Sequence, residues 1–262
     1  MAPNSAIRDT VRELEEAHMS HSWKFILRPS IALWMIGGII AGGFTNNGKA
    51  RQGSATSNGE TNQASPAALP KDVYPDSMYR LPLPKREDLD DRGKKIYDTI
   101  VSPNNPTLAG LRGPAGIILN DPKLAELEGP LNQYLRYGSG LNGHVRELAI
   151  LVTAREAHSQ FEWAAHEPQA LKEGLDQKTM DVVKYGRSSK GLPEMDAVVI
   201  ELGRQMFDQK KVDSEIYASA LKLFGPRGLV DLVSLMGNYC GTAALLSTFD
   251  MQLRPGQKPL LP

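Results

Sequence analysis

Residues 142–175 read NGHVRELAILVTAREAHSQFEWAAHEPQALKEGL, and this stretch predicts two consecutive helices. The first, through Ser159, carries apolar residues on nearly every helical face, which is typical of a buried helix. In the second, Ser159, Glu162 and His166 are offset by three, four and seven residues, so a helix brings their side chains to one face. The stretch therefore joins a core helix to a helix with a polar face.

Helix signals continue on both sides of this stretch. Asp121 followed by Pro122 is a typical helix start, and Gly138 is a typical stop. Downstream, Asp176 is predicted to cap a further helix. The rest of the chain supplies three more helical segments: PEMDAVVIELGRQMFDQ, DSEIYASALKLFG and the strongly apolar PRGLVDLVSLMGNYCGTAALLSTFDMQL. No alternating strand pattern competes with these segments, so the sequence predicts an all-α fold.

The N-terminal part, residues 1–44, ends in an uncharged run from Ile31 to Phe44. This run is short for a membrane span, which needs about 20 residues. It suits the apolar region of a signal peptide, with Ala41–Gly43 as a small-residue cleavage site, and initiation at Met19 would give a basic region of ordinary length. An uncleaved membrane anchor and a buried core helix are the alternatives.

A linker and a folded domain follow. Residues 45–86 are rich in Gly, Ser, Asn and Pro and poor in large apolar residues, so they predict a flexible tether that ends in an extended approach. Residues 87–262 are predicted to form the helical domain. We therefore expect either an exported protein, cleaved or held at the membrane through residues 31–44, or a cytoplasmic protein if that segment is not a signal.

Charge and cysteine content exclude several classes of function. The 30 Lys and Arg residues match the 30 Asp and Glu residues, and no dense basic block is present, which argues against nucleic-acid binding. Cys240 is the single cysteine. An intrachain disulfide, a CxxC redox pair and a cysteine-based zinc site are therefore excluded.

The segment RELAILVTAREAHSQFEWAAHEPQALKEGL resembles the core of the carboxymuconolactone decarboxylase family, whose superfamily includes alkylhydroperoxidase D. The lead-in LRGPAGIILNDPKLAELEGPLNQYLRYGSGL and the later block GLVDLVSLMGNYCGTAALLSTFD resemble the long subgroup of that family. The resemblance covers most of residues 89–253. It implies an alkylhydroperoxidase D-like helical bundle that assembles into homotrimers or hexamers.

The family pattern also implies a site. Its peroxidase branch has a glutamate, a cysteine twelve residues later, a second cysteine after three more and a histidine after four more. These positions hold Glu147, Ser159, Glu162 and His166 in this chain. Because neither serine nor glutamate replaces a thiolate in peroxide reduction, the resemblance points to the decarboxylase-like branch, which uses no cofactor and no metal.

We therefore predict a catalytic set of His166, Glu147 and Glu162. His166 can donate and accept a proton near neutral pH, and Glu162, one turn before it, would fix the imidazole tautomer. The family pattern implies that Glu147 projects into the same pocket, and either His166 or a protonated Glu147 would be the proton donor. Substrate-binding residues are predicted to be Ser159, Trp163 and Tyr239.

The predicted function is a cofactor-independent decarboxylase or lyase that acts on a small carboxylated lactone or keto acid. Two other classes remain open. A thiol-dependent peroxidase is implied by superfamily membership alone, and a non-catalytic, membrane-tethered binding protein could use the same scaffold.

Overall fold

The computed structural model describes residues 69–104 and 107–262. The predicted signal or anchor segment, residues 1–44, lies outside the described residues, and so does residue range 45–68 of the predicted linker.

The described part of the chain contains helices and no strand, apart from one isolated bridge between Tyr74 and Tyr79. The predicted all-α class is confirmed. The helices are α1 (Asp91–Val101), α2 (Pro114–Ile118), α3 (Pro122–Gln133), α4 (Gly143–Glu156), α5 (Gln160–Lys172), α6 (Gln177–Lys184), α7 (Glu194–Arg204) and α8 (Ser214–Thr248). Short 3₁₀ turns at Arg86–Asp88 and Gly110–Arg112 flank α1, and π-helical turns follow α3 and α7 at Tyr134–Gly138 and Gln205–Gln209.

Helix α4 is the centre of the domain. Every residue from Val145 to Ala154 is buried, because α5, α6, α7 and α8 all pack against this helix. The prediction of a helix buried on all sides is confirmed. Helix α4 therefore presents its few polar side chains, Glu147 among them, to the interior of the domain.

The predicted helix starts are also present. The Asp121 carboxylate accepts hydrogen bonds from the N–H groups of Lys123 and Leu124, and Asp176 accepts one from Thr179. Ser159 caps α5, since its Oγ accepts from the Glu162 N–H at 3.4 Å. Such caps satisfy N–H groups that lack a partner within the helix, so they set where each helix begins.

Helix α8 bends sharply at Gly225, where φ is 64° and ψ is 174°. The sequence predicted two helices separated at this glycine and the following proline, and the positive φ explains the break. By length and composition α8 is the one described helix that could cross a membrane, with a mean hydropathy of 1.4 over its most apolar window. Half of that window is buried inside the domain.

The boundary of the folded domain differs from the prediction. Residues 69–86 were expected to be part of a flexible linker, yet Ser77 and Tyr79 are fully buried. The Tyr79 ring packs with Ile117, Phe161 and Leu246, and the Arg80 N–H donates to the carbonyl of Phe249 at 2.8 Å. The closely spaced prolines do block regular structure, but a segment of turns with one large aromatic residue can still bury apolar surface.

Candidate functional site

The site is centred on His166, which α5 places against α4. His166 Nδ1 lies 2.7 Å from Glu147 Oε2, and His166 Nε2 lies 3.5 Å from Glu162 Oε2. His166 is 3% exposed, Glu147 is 1% exposed and Glu162 is 4% exposed. The imidazole is therefore held between two buried carboxyl groups. Glu162 lies on its own helix, and Glu147 lies 19 residues earlier in the chain.

Glu147 is held as a carboxylate. Burial by itself would raise its pKa, but the hydrogen bond to His166, the charge of His166 and the hydrogen bond from Arg146 outweigh burial, and the net pKa is lowered. Arg146 Nε donates to Glu147 Oε1 at 3.1 Å and its second amino group donates to Glu173 at 2.9 Å. Both Glu147 oxygens thus have donors, which stabilises the charged form.

Glu162 has the opposite tendency. Burial raises its pKa, the nearby charge of Glu147 adds to the rise, and the charges of His166 and Arg136 only partly offset it. Two carboxyl groups on either side of one imidazole therefore have pKa values shifted in opposite directions. Such divergence is typical of sites in which one carboxyl orients a base and the other carries a proton.

A cavity of about 1010 Å³ opens beside this cluster, between α1, α2, α3, α5 and α8. Its buried lining includes the polar residues Arg136, Glu162, His166, Tyr239 and Thr242, together with the apolar Ala125 and Phe161. The partly exposed lining is mainly apolar and includes Ile96, Ile100, Leu108, Ala109, Ala115 and Ile118. The cavity therefore has a polar inner part around His166, an outer part lined by apolar side chains of intermediate exposure, and an exposed rim that includes Asp98, Asn104 and Glu126.

Tyr239 of α8 is one of the predicted substrate-binding residues, and it does line this cavity. Its ring meets the His166 ring edge to face, with centroids 5.2 Å apart. Burial raises the pKa of the phenol, and the nearby carboxyls add to the rise against the opposing charge of Arg136. Tyr239 is therefore a neutral hydroxyl that packs on the imidazole.

Three other predicted residues do not line the cavity. Ser159 serves as the N-cap of α5. Trp163 is fully enclosed in the main core, and its indole N–H has no acceptor among the described residues. Glu147 lies behind His166 and contacts Nδ1 instead of facing the open space. The sequence predicted that Glu162 would orient the imidazole and that Glu147 would face the pocket. In the structure, Glu147 makes the close contact to the imidazole and Glu162 lines the cavity.

Arg136 is a charged cavity residue that the sequence did not reveal. It lies in the π-helical turn after α3, is 9% exposed, and stacks on Tyr137 with 4.8 Å from its guanidinium carbon to the ring centre. Within the described chain its Nε has no hydrogen-bond acceptor. In the sequence, an arginine at the end of a predicted helix resembles an ordinary cation near a helix C-terminus. The π turn places it inward, and π turns are frequent at functional sites.

The described residues contain no cluster of three or more His, Cys, Asp or Glu side chains that could hold a metal ion. Comparison with known proteins adds no assignment: no protein-family model matches the chain, and a search of curated proteins gives no match. The likeness to the carboxymuconolactone decarboxylase family thus stands as a prediction from the sequence blocks.

Proposed function

We propose that this protein is a cofactor-independent decarboxylase or related lyase built on an alkylhydroperoxidase D-like bundle. The observation that carries the proposal is the buried His166, held between an ionised Glu147 and a Glu162 with a raised pKa, at the polar inner part of a large cavity. This arrangement suits proton transfer to a substrate from which water is excluded.

The reaction follows from these positions. In a β-keto acid or an activated lactone acid, the bond to the carboxylate carbon breaks, CO₂ leaves and the electron pair stays on the substrate as an enolate. Glu147 orients the imidazole through Nδ1, so that Nε2 is directed to Glu162 and the cavity. We assign a proton on His166 Nε2 or on Glu162, whose nearest atoms are 3.5 Å apart, to the enolate carbon, and a proton from solvent then restores it. Tyr239 packs on the imidazole and limits its movement.

The open alternatives receive less support. A two-thiol peroxidase would need cysteines where the chain has Ser159, a helix cap, and Glu162. A tethered binding protein would use the same cavity but would give no turnover. Membrane tethering through residues 31–44 and export remain part of the proposal, and both rest on the sequence alone.

The proposal includes a homo-oligomer, trimeric or hexameric. Helix α3 carries an exposed apolar stripe at Leu124, Leu127, Leu131 and the adjoining Tyr134, which are 45%, 60%, 49% and 40% exposed. Such a continuous stripe is typical of a contact surface. Light scattering on the purified protein should give a mass of at least three chains, and Leu127→Glu should lower it. A monomer would contradict the proposal.

The catalytic test is a screen for CO₂ release from lactone and keto acids, followed by His166→Asn. We expect this variant to lower kcat by about 10²- to 10⁴-fold, the usual contribution of a positioned acid or base. The chain offers a matched control in His144, whose Nε2 contacts Asp196 at 2.7 Å in a second histidine–carboxylate pair that does not line the cavity. His144→Asn should keep kcat within about twofold. Equal activity of the His166 and His144 variants would refute the assignment.

A further inference from the structure

The two arginines near the site differ in how they are paired. Arg146 donates to Glu147, to Glu173 and to the carbonyl of Arg136, so its guanidinium is satisfied. Arg136 lines the cavity and is 9% exposed, and its Nε has no acceptor among the described residues, although its charge acts on the nearby Glu147 and Glu162. A buried N–H group without an acceptor is costly unless a ligand supplies one. The unpartnered Nε of Arg136 is therefore the group in the cavity best suited to bind an anion.

The rest of the cavity indicates the size of that ligand. Ligand cavities usually measure about 300–1,000 Å³ and bury most of a drug-sized molecule. At about 1010 Å³ this one lies at the upper end of that range. Asp98, Glu126 and Glu128 also line the cavity, but each methylene that a ligand buries against the partly exposed isoleucine, leucine and alanine side chains favours binding. The shape and chemistry fit a bulky acid with a hydrocarbon body.

We infer that Arg136 binds a carboxylate of a large, mainly apolar acid whose hydrocarbon body occupies the outer cavity between α1, α2 and α3. This inference rests on the proposed use of the cavity as a substrate site. It replaces the small lactone or keto acid predicted from the sequence with a bulky acid. Arg136 can offer a fork of N–H donors that matches the two oxygens of a carboxylate.

The carboxylate held by Arg136 is one that the reaction retains. Loss of CO₂ removes negative charge from the departing carboxylate, so an ion pair at that group would stabilise the reactant more than the transition state. The departing group must instead lie toward His166 and Glu162. The substrate of a decarboxylation in this cavity consequently has a retained acid group in addition to the activated one.

Binding of an unreactive probe tests the inference without turnover. Decanoate, decan-1-ol and butanoate are titrated into the purified full-length protein by calorimetry. Decanoate should bind at least about 100-fold more tightly than butanoate, since it buries six more methylenes. Arg136→Gln should weaken decanoate binding by about 10- to 100-fold, the usual loss for a charge-assisted contact, and should change decan-1-ol binding by less than about threefold.

Arg187 provides the matched control. Its guanidinium stacks on Tyr185 at 4.7 Å, much as Arg136 stacks on Tyr137, but its side chain is 60% exposed and it does not line the cavity. Arg187→Gln should leave decanoate affinity unchanged. If circular dichroism shows that Arg136→Gln does not fold, Arg136→Lys, which keeps the charge but not the fork, should still weaken decanoate binding several-fold.

Several results would overturn the inference: no decanoate binding to the wild type, equal affinities for butanoate and decanoate, or unchanged decanoate affinity after substitution of Arg136. A parallel loss of decan-1-ol binding in Arg136→Gln would also overturn it, because that pattern indicates damage to the whole cavity. His166→Asn should still bind decanoate. A chain that binds decanoate through Arg136 but releases no CO₂ from any acid would refute the proposed function and support this inference.

Discussion

Replacing Glu147 by glutamine is the sharpest perturbation of the site, because it keeps the shape of the side chain and removes its charge. Glu147 is 1% exposed and accepts hydrogen bonds from His166 at 2.7 Å and from Arg146 at 3.1 Å. A glutamine side chain has one oxygen that can accept a hydrogen bond from His166 or from Arg146. Its NH2 group would face the other of these two donors and could not accept a hydrogen bond from it. We therefore expect Glu147→Gln to destabilise the fold and to release the imidazole.

The magnitude follows from the two contacts. A hydrogen bond to a charged group contributes about 1.5–3 kcal/mol, against about 1 kcal/mol for a neutral one. Losing the charge should thus cost about 0.5–2 kcal/mol at each contact and about 1–4 kcal/mol in total. In a domain of this size 1 kcal/mol lowers Tm by about 2–4 °C, so the expected fall is about 2–16 °C.

The same variant has a defined pH dependence. The pKa of Glu147 is lowered in the folded protein, so the stability it contributes is fully present above the ordinary glutamate value of about 4.3 and is lost as the pH falls through the folded value. The difference between wild type and Glu147→Gln should be constant above about pH 4.3 and should shrink as the pH falls below that value. Urea unfolding followed by circular dichroism at several pH values measures it.

Glu173→Gln is the control, because Glu173 contacts the same Arg146 at 2.9 Å but its side chain is 42% exposed. Exposed ion pairs contribute little, so we expect a loss below about 1 kcal/mol. A Glu147→Gln variant within about 0.5 kcal/mol of wild type at pH 7 would refute the reasoning. A loss that stays constant from pH 7 to pH 3 would also refute it, since the charge would then not be the cause.

Three further predictions concern the fold and the second carboxyl. Tyr79→Ala should lower the free energy of unfolding by about 3–5 kcal/mol. Tyr74 is 46% exposed, so Tyr74→Ala should change this free energy by less than about 0.5 kcal/mol. If urea unfolding gives an equally small change for both variants, the segment lies outside the folded domain. Gly116→Ala should strongly destabilise the fold, because its new methyl group would overlap a backbone carbonyl. Gly129→Ala, in open space within α3, should raise the free energy of unfolding by about 0.5–1 kcal/mol. Thermal unfolding of both variants measures the contrast, and a Gly116→Ala variant as stable as wild type would contradict it. Burial raises the pKa of Glu162, so the wild type loses stability as the pH rises toward that raised value. We therefore expect Glu162→Gln to become more stable relative to wild type between pH 5 and pH 8. If the free energies of unfolding of the two proteins change in parallel over this range, Glu162 is not a buried, protonated carboxyl.

The helices were predictable because their signals are local. Asp121, Ser159 and Asp176 each precede a helix whose first N–H groups they cap, and the break at Gly225 needs only a positive φ before a proline. The extent of the folded domain was not predictable in this way. Tyr79 is buried by side chains from α2, α5 and α8, and no pattern in the surrounding prolines indicates those contacts.

The candidate site shows the same division. His166 and Glu162 were expected on one face of one helix, and they are. Ser159 shares that face by spacing, but as the cap it ends up at the start of α5 and away from the cavity. Trp163 was expected near the substrate and instead fills the core, because a large ring next to α4 removes more apolar surface from water there.

The sequence by itself determined the all-α class, the buried helix α4 and the pairing of Glu162 with His166, because helical periodicity and capping act over a few residues. Only the tertiary structure decided that Glu147 approaches Nδ1 from another helix and that Arg136 lines the cavity with an Nε that has no acceptor among the described residues. Those positions depend on how α4 packs on α5 and on a π turn after α3, which set the direction of each side chain through contacts between distant parts of the chain.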